Sequence, residues 1–438
     1  VSEEPNKTVQ LTRVLGWILT LVIATSARLG WADGQPAPDP APAAPTLSAD
    51  AAPQAEASPK PEAKPRLEIF GAAMLDTGYE TKQSDPDWFD VARPSKLPSF
   101  PNEFGADGHF YAGVRQSRFG VKAYEPTGLG ELKVWFEFEL FGTGVDAGQT
   151  TFRLRHAWGE LGQIGAGQTW SLFMDPDVFP NSIEYWGPDG MVFFRNVQLR
   201  WTPWQDGDSR FAVAIERPGA SADGGVYADR IELQDVKARF PLPDFTAQFR
   251  YSKGWGHIQL AGIIRKMDWD DLSPGPIINL TGGATGWGFN LSSNIKIDRH
   301  VARLQVVYGH GMENYMNDAP IDVGIQNNFS SLVQPVIGVP LPCLGIVAFM
   351  DFNWSPKWTS TAGYSMVNIT NSDAELPSDF HKGQYALANI LYYPVPNFFL
   401  GPEVQYVKRN NFADGFSSDD VRIQFSAKYS FKHTFGGK

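Results

Sequence analysis

Residues 132–140 read LKVWFEFEL. Leu132, Val134, Phe136, Phe138 and Leu140 share one side of an extended chain, and Lys133, Trp135, Glu137 and Glu139 share the other, because successive side chains of a strand point to opposite faces. A soluble sandwich buries such an apolar face against a second sheet. A transmembrane barrel turns it to lipid and keeps the polar face in the lumen.

The alternation recurs on both sides of this stretch. Phe119, Val121 and Ala123 alternate with Arg118, Gly120 and Lys122; Val197, Leu199 and Trp201 with Gln198 and Arg200; Phe211, Val213 and Ile215 with Arg210 and Glu216. Further on, Phe245, Ala247, Phe249 and Tyr251 alternate with Thr246, Gln248 and Arg250, and Trp287, Phe289, Leu291 and Ile295 with Asn290, Ser292 and Lys296. A basic side chain on a lipid face costs about 2–4 kcal/mol at mid-bilayer, so the charges set the phase and point inward.

Connection lengths give the topology. Short connections at 125–130, 161–163, 203–208, 252–256, 298–300, 355–357 and 394–397 alternate with long ones at about 80–110, 142–150, 169–190, 217–243, 268–284, 311–342, 368–381 and 410–417. Short periplasmic turns and long extracellular loops alternate in this way. The expectation is an all-β fold: a sixteen-stranded antiparallel transmembrane β-barrel over 67–438, with both ends at the periplasm. An apparent strand at Val236–Phe240 would break the even count and is assigned to its loop. In the last segment Tyr429, Phe431 and Phe435 share one phase, and an aromatic near the C-terminus resembles the signal read by the barrel-assembly machinery. Gly436, Gly437 and Lys438 follow it.

Composition agrees and removes other classes. Of 438 residues, 42% are hydrophobic, 13% aromatic and 19% charged, with 43 glycines. Strands, turns and interfacial aromatic girdles use such a mixture. After residue 32 no apolar run approaches the ~18 residues of a membrane-spanning helix. A net charge of -11 argues against nucleic acid as a partner. The single cysteine, Cys343, excludes an intramolecular disulfide and any cysteine-based zinc cluster.

The N-terminal 66 residues differ. Lys7 and Arg13 precede the apolar run Val14–Ala24, and Gly30 and Ala32 fit a cleavage site after Ala32, with Ala27 a second candidate. Residues 1–32 are therefore expected to be a secretory signal peptide; the run is too short for a membrane anchor. Residues 33–66 are rich in Pro and Ala and read as a disordered periplasmic linker.

The third long connection, 169–190, is TWSLFMDPDVFPNSIEYWGPDG. In sixteen-stranded porins this loop folds into the barrel and narrows it. It carries Asp175, Asp177, Glu184 and Asp189, and the facing strands offer Arg118, Lys122, Arg153, Arg155, Arg200, Arg250 and Arg265. Acids and bases opposed across a constriction create a transverse field, and an excess of guanidinium groups favours carboxylates. Lumen arginines also hold inward loops through ion pairs, so pairing and solute contact stand side by side for each. Trp170, Phe173, Phe179, Tyr185 and Trp186 offer either a stacking track or, more simply, the packing of the loop itself.

Three stretches carry a family resemblance. Arg115–Glu125 (RQSRFGVKAYE), followed by a glycine turn and Leu132–Leu140, is similar to the early strands of Gram-negative porins. Gly167–Asp175 (GQTWSLFMD) and Trp255–Gly262 (WGHIQLAG) resemble the DcaP-like dicarboxylic-acid porin family, and the likeness covers roughly 67–435. The resemblance implies an outer-membrane homotrimer among lipid and lipopolysaccharide. It implies uptake of small negatively charged organic acids, with carboxylates touched by lumen arginines, here Arg118, Arg153, Arg155 and Arg200. Some members carry a helical coiled-coil extension at the N-terminus; this tail is Pro-rich instead.

No Gly-x-Ser-x-Gly, Walker loop or His-Glu-x-x-His motif occurs, and His109, His156, His257, His300, His310, His381 and His433 are scattered. No enzyme activity, cofactor or metal is expected. Asp268, Asp270 and Asp271 read as a solvated loop face, with cation binding the lesser alternative. The expected function is passive diffusion of small hydrophilic solutes with anion preference. A weakly selective or neutral-solute porin is the nearest alternative. A barrel hydrolase and an envelope tether acting through 33–66 are the other classes.

Overall fold

In a computed structural model the described residues are 64–219, 230–272, 275 and 277–437. The expected signal segment and nearly all of the linker lie outside them. Eighteen hydrogen-bonded segments form one closed antiparallel sheet of sixteen staves, because two staves are built from two segments each.

In chain order the staves are β1 (Arg66–Glu80), β2 (His109–Gly113 and Arg118–Thr127), β3 (Gly130–Phe141), β4 (Thr150–Leu161), β5 (Ile164–Trp170), β6 (Arg195–Gln205), β7 (Ser209–Glu216) and β8 (Asp244–Lys253). They continue as β9 (Gly256–Asp271), β10 (Gly282–Ile297), β11 (His300–His310), β12 (Pro342–Ser355), β13 (Trp358–Ile369), β14 (Phe380–Val395), β15 (Phe398–Asn411) and β16 (Ser417–Gly436). β16 pairs with β1 from Arg66 opposite Gly436 to Glu80 opposite Arg422, which closes the barrel. Closure leaves no open sheet edge in the bilayer, where an unpaired backbone group is costly.

The alternation is realised as read. Phe119, Phe136, Phe138, Leu199, Ile215, Phe245 and Leu291 are exposed on the outer wall, whereas Glu137, Glu139, Gln198, Glu216, Gln248 and Asn290 are buried inside. Near the short turns Trp201, Trp204, Trp255, Trp354, Trp358 and Tyr429 stand outward as an aromatic girdle. No helix among the described residues is long and apolar enough to cross a membrane.

Three expectations about loops are corrected. Val236–Arg239 is a strand, but it pairs with Asp268–Asp271 of β9 above the end of β8, so it lengthens an existing stave and leaves the count even. For the same reason Asp268, Asp270 and Asp271 lie on β9 and not in a loop. Asp268 pairs with Lys266 at 2.8 Å and Arg239 at 3.4 Å, and Asp270 with Arg239 at 3.1 Å. The inward loop also starts later than expected and runs from Ser171 to Phe194, since Trp170 belongs to β5.

Candidate functional site

The loop 171–194 crosses the lumen because both faces of it find partners. Its apolar side chains Phe173, Met174, Val178, Met191, Val192 and Phe194 join a core with inward residues of β9 to β15, among them Ile263, Val307, Cys343, Val347, Phe349, Val367, Tyr385, Leu387 and Val407. Burial of such side chains stabilises by about 1.5–3 kcal/mol each. Trp186 and Tyr185 pack on Trp88 and Phe141 at the other side. Phe173, Tyr185 and Trp186 are buried, so these aromatics serve the packing of the loop.

Polar anchors fix the loop's path. Glu403 of β15 accepts the main-chain N–H groups of Ile183 (2.9 Å) and Glu184 (3.0 Å). Glu184 in turn accepts the N–H groups of Ala92 (3.0 Å) and Trp186 (2.9 Å), and burial pushes its carboxyl up to about 6. Asn181 donates its main-chain N–H to Asp351 (3.2 Å), and its carbonyl accepts from Asn389 (2.8 Å). Asp175 accepts from Ser292 (2.6 Å), contacts His257 (2.7 Å) and pairs with Arg250 (3.2 Å). Burial raises the Asp175 carboxyl, but the hydrogen bond from His257, the Arg250 charge and Ser292 outweigh it and hold it at about 2.

Of the four loop acids, Asp175, Glu184 and Asp189 are buried. Asp189 makes no hydrogen bond through either carboxylate oxygen, and burial beside Asp318 and Glu184 raises it well above the carboxylate range. Asp177 alone keeps accessible side-chain surface, 24%, and pairs with Arg250.

The bases fall into two sets. Arg155 is enclosed: it binds Glu137 at 2.7 Å and also Glu139, which Arg195 approaches at 3.4 Å and Arg153 at 3.9 Å. A β-bulge sets this arrangement. Glu137 pairs with His156 and Phe138 with Leu154, so Arg155 has no opposite residue and is aimed at the carboxylates. Arg265 is fully buried between Asp244 (2.9 Å) and Asp322 (3.2 Å) and clamps the loop above β11; it is not on the water path.

The second set faces the part of the lumen that the loop leaves open. Arg118 keeps 30% of its side-chain surface and lies 3.9 Å from Glu137; Arg250 keeps 22%. Lys122 lies over the rings of Trp135 (4.5 Å) and Phe70 (5.4 Å). Arg200 donates to Gln198 (2.8 Å) and the Trp170 carbonyl (2.6 Å), both neutral. Three residues absent from the expected set belong here. Arg303 pairs with Asp351, Arg210 donates to Gln248 (3.0 Å), and Lys428 projects inward from β16. Their phase was the available signal, since Arg210 and Lys428 alternate with outward Phe211 and Tyr429.

Two groups of potential metal ligands occur among the described residues. Asp175, Asp177 and His257 converge, as do Glu232, Glu375 and Asp379, each set with ligand atoms within 4.8 Å. In the first, Arg250 already holds the cationic position between the two carboxylates. The second lies on the outer loops, where burial and the charges of Glu375 and Asp379 push Glu232 up to about 8.

A family model described as DcaP outer membrane protein matches residues 60–266. Among solved structures, the outer membrane channel DcaP of Acinetobacter baumannii is similar with a TM-score of 0.68 and 21% identity, over 83% of this chain and 97% of that one. An anion-selective porin from Comamonas acidovorans follows with a TM-score of 0.54 and 10% identity, over 83% and 99%. Outer-membrane expressed OmpT of Vibrio cholerae has a TM-score of 0.51 and 11% identity, over 83% and 97%. No curated protein matches the chain by sequence. At these identities the structural likenesses establish the porin fold. Together with the family match they place the barrel in the outer membrane, and the resemblance to the DcaP-like family stands.

Proposed function

We propose that this outer-membrane porin conducts small organic anions, carboxylates above all, by passive diffusion between the inward loop and the wall formed by β16 and β1 to β8. One observation carries the reading. Among the described residues Lys122, Arg200, Arg210 and Lys428 point into this part of the lumen with no carboxylate within ion-pair distance, whereas three of the four loop acids, Asp175, Glu184 and Asp189, are buried away from it. Where the unpaired charges of a low-dielectric wall share one sign, they concentrate the opposite sign in the water between. Arg118 and Arg250, partly paired, supply further guanidinium edges, and of the four loop acids Asp177 is the one that keeps accessible surface beside them. Arg155 acts through Glu137 and Glu139 as support.

On this reading the barrel performs no chemistry on its solute and needs no cofactor. Three copies would associate through their apolar outer walls, inserted with the help of the assembly machinery that reads β16. The porin of Comamonas acidovorans is described as anion-selective, which favours the same reading here. The test is a reversal potential in planar bilayers under a potassium chloride gradient. Anion preference that falls in Lys122→Gln and in Arg118→Gln supports the proposal, and cation preference in the wild-type channel overturns it.

A further inference from the structure

The short-turn end of the barrel holds a pocket of about 170 Å³ whose lining includes Trp158, Glu160, Arg200, Thr202, Gln205 and Arg210. It lies beside the turns at 162–163 and 206–208, so it opens at the periplasmic mouth, away from the extracellular loops. Its two guanidinium groups are only partly used by the protein. Arg200 spends Nε and Nη2 on the neutral oxygens of Gln198 and Trp170 and lies 5.1 Å over the Trp158 ring. Arg210 spends Nη2 on Gln248, and its buried Nε has no hydrogen-bond partner. Neither has a carboxylate oxygen within ion-pair distance. The nearby acid in the lining, Glu160, is itself 3.7 Å from Lys133.

Two like charges held side by side with donors to spare form an arrangement whose complement is an anion. A carboxylate offers about four lone-pair sites in a plane and accepts from two guanidinium groups at once. The Thr202 hydroxyl and the Gln205 amide add neutral donors at the rim. We propose that this pocket is a resting site for one carboxylate group of a solute at the periplasmic mouth. It is separate from the narrow region beneath the inward loop, and Arg200 and Arg210 are its two specificity-determining residues. The inference rests on the anion-channel reading. It adds a second station on the path: a solute released from the narrow region is held again before it leaves. Weak binding at successive sites lets an ion enter readily and still depart.

The test uses the full-length protein in planar bilayers with succinate added to one side at a time. Succinate from the short-turn side is expected to interrupt the current, with a voltage dependence that places the blocking site near that mouth. Arg210→Gln and Arg200→Gln should each shorten these interruptions roughly tenfold, the worth of a charge-assisted hydrogen bond. Arg210→Lys, which keeps the charge without the fork, should restore them in part. Folding of each variant is checked by its heat-modifiable migration on gels. Anion preference in the wild type with interruptions unchanged in both Gln variants, or with no interruptions from that side, overturns the resting site and leaves the channel reading standing. Cation preference without succinate interruptions overturns both.

Discussion

The Glu403 carboxylate on β15 accepts the main-chain N–H of Glu184 at the inner end of the loop, 3.0 Å away, and holds Ile183 beside it at 2.9 Å. A side chain of the barrel wall thereby substitutes for the strand partner that a loop in mid-lumen lacks. Buried N–H groups left without an acceptor cost about 1–3 kcal/mol each. Glu403→Ala is expected to free this part of the loop. Single-channel recordings should show larger and noisier conductance, and the temperature of the gel-shift transition should fall. Conductance and transition both equal to wild type would mean the loop is held by its apolar contacts alone.

Arg118 and Arg155 separate support from conduction. Arg155 is buried at a bulge between Glu137 and Glu139, and its removal leaves two carboxylates without their main counter-charge. Arg155→Gln should lower stability by about 3–5 kcal/mol, as for one half of a buried ion pair. Arg118→Gln should leave the unfolding midpoint near wild type and reduce anion preference. Urea titrations of refolded protein and reversal potentials, taken on the same preparations, decide between these roles.

Acid pH should loosen one end of the loop. Asp175 has its carboxyl held at about 2, below the ordinary 3.8, by His257, Arg250 and Ser292 against burial. Its contribution, about 2 kcal/mol by linkage, is fully present above pH 3.8 and is lost as the pH falls from 3.8 to about 2. Current noise should rise across that window in the wild-type channel. In Asp175→Asn, which has no titrating group there, the step should be missing.

Cys343 reports on docking of the loop. It is buried in the core that the loop makes with β11 to β13, and it is the chain's one thiol. Reaction with a maleimide should be negligible in the wild type. It should become measurable in Glu403→Ala, where the loop departs more often, since thiol reactivity requires access. Equal labelling rates in the two proteins would sink the link between that anchor and the core.

These relationships were unequally legible in the sequence. In β2, β3, β6, β7, β8 and β10 the alternation was plain, because one face meets lipid and the other meets water or charge. It is blurred in β12, where Cys343, Val347 and Phe349 face inward and Leu344, Ile346 and Met350 outward, all apolar, because the loop covers the inner face. Which arginines stand free was not legible either. Arg118 and Arg155 share the inward phase, and only the cross-strand register with its bulge sends Arg155 to the two glutamates. The anchors Glu403, Asp351 and His257 lie far along the chain from the loop they hold, so no local pattern marks them. Arg210 and Lys428 were legible by phase, and their lack of acid partners required the fold.

The core between the loop and β9 to β15 has a consequence for biogenesis. In an empty channel the inner wall can be wetted as soon as the strands close. Here part of that wall is as oily as the outer one, and it stays incompatible with water until residues 171–194 arrive. Maturation of this barrel therefore has two hydrophobic events, insertion into lipid and an internal collapse like that of a soluble domain. The second sets the final bore, so the width of the channel depends on packing inside the cylinder as well as on the number of its strands.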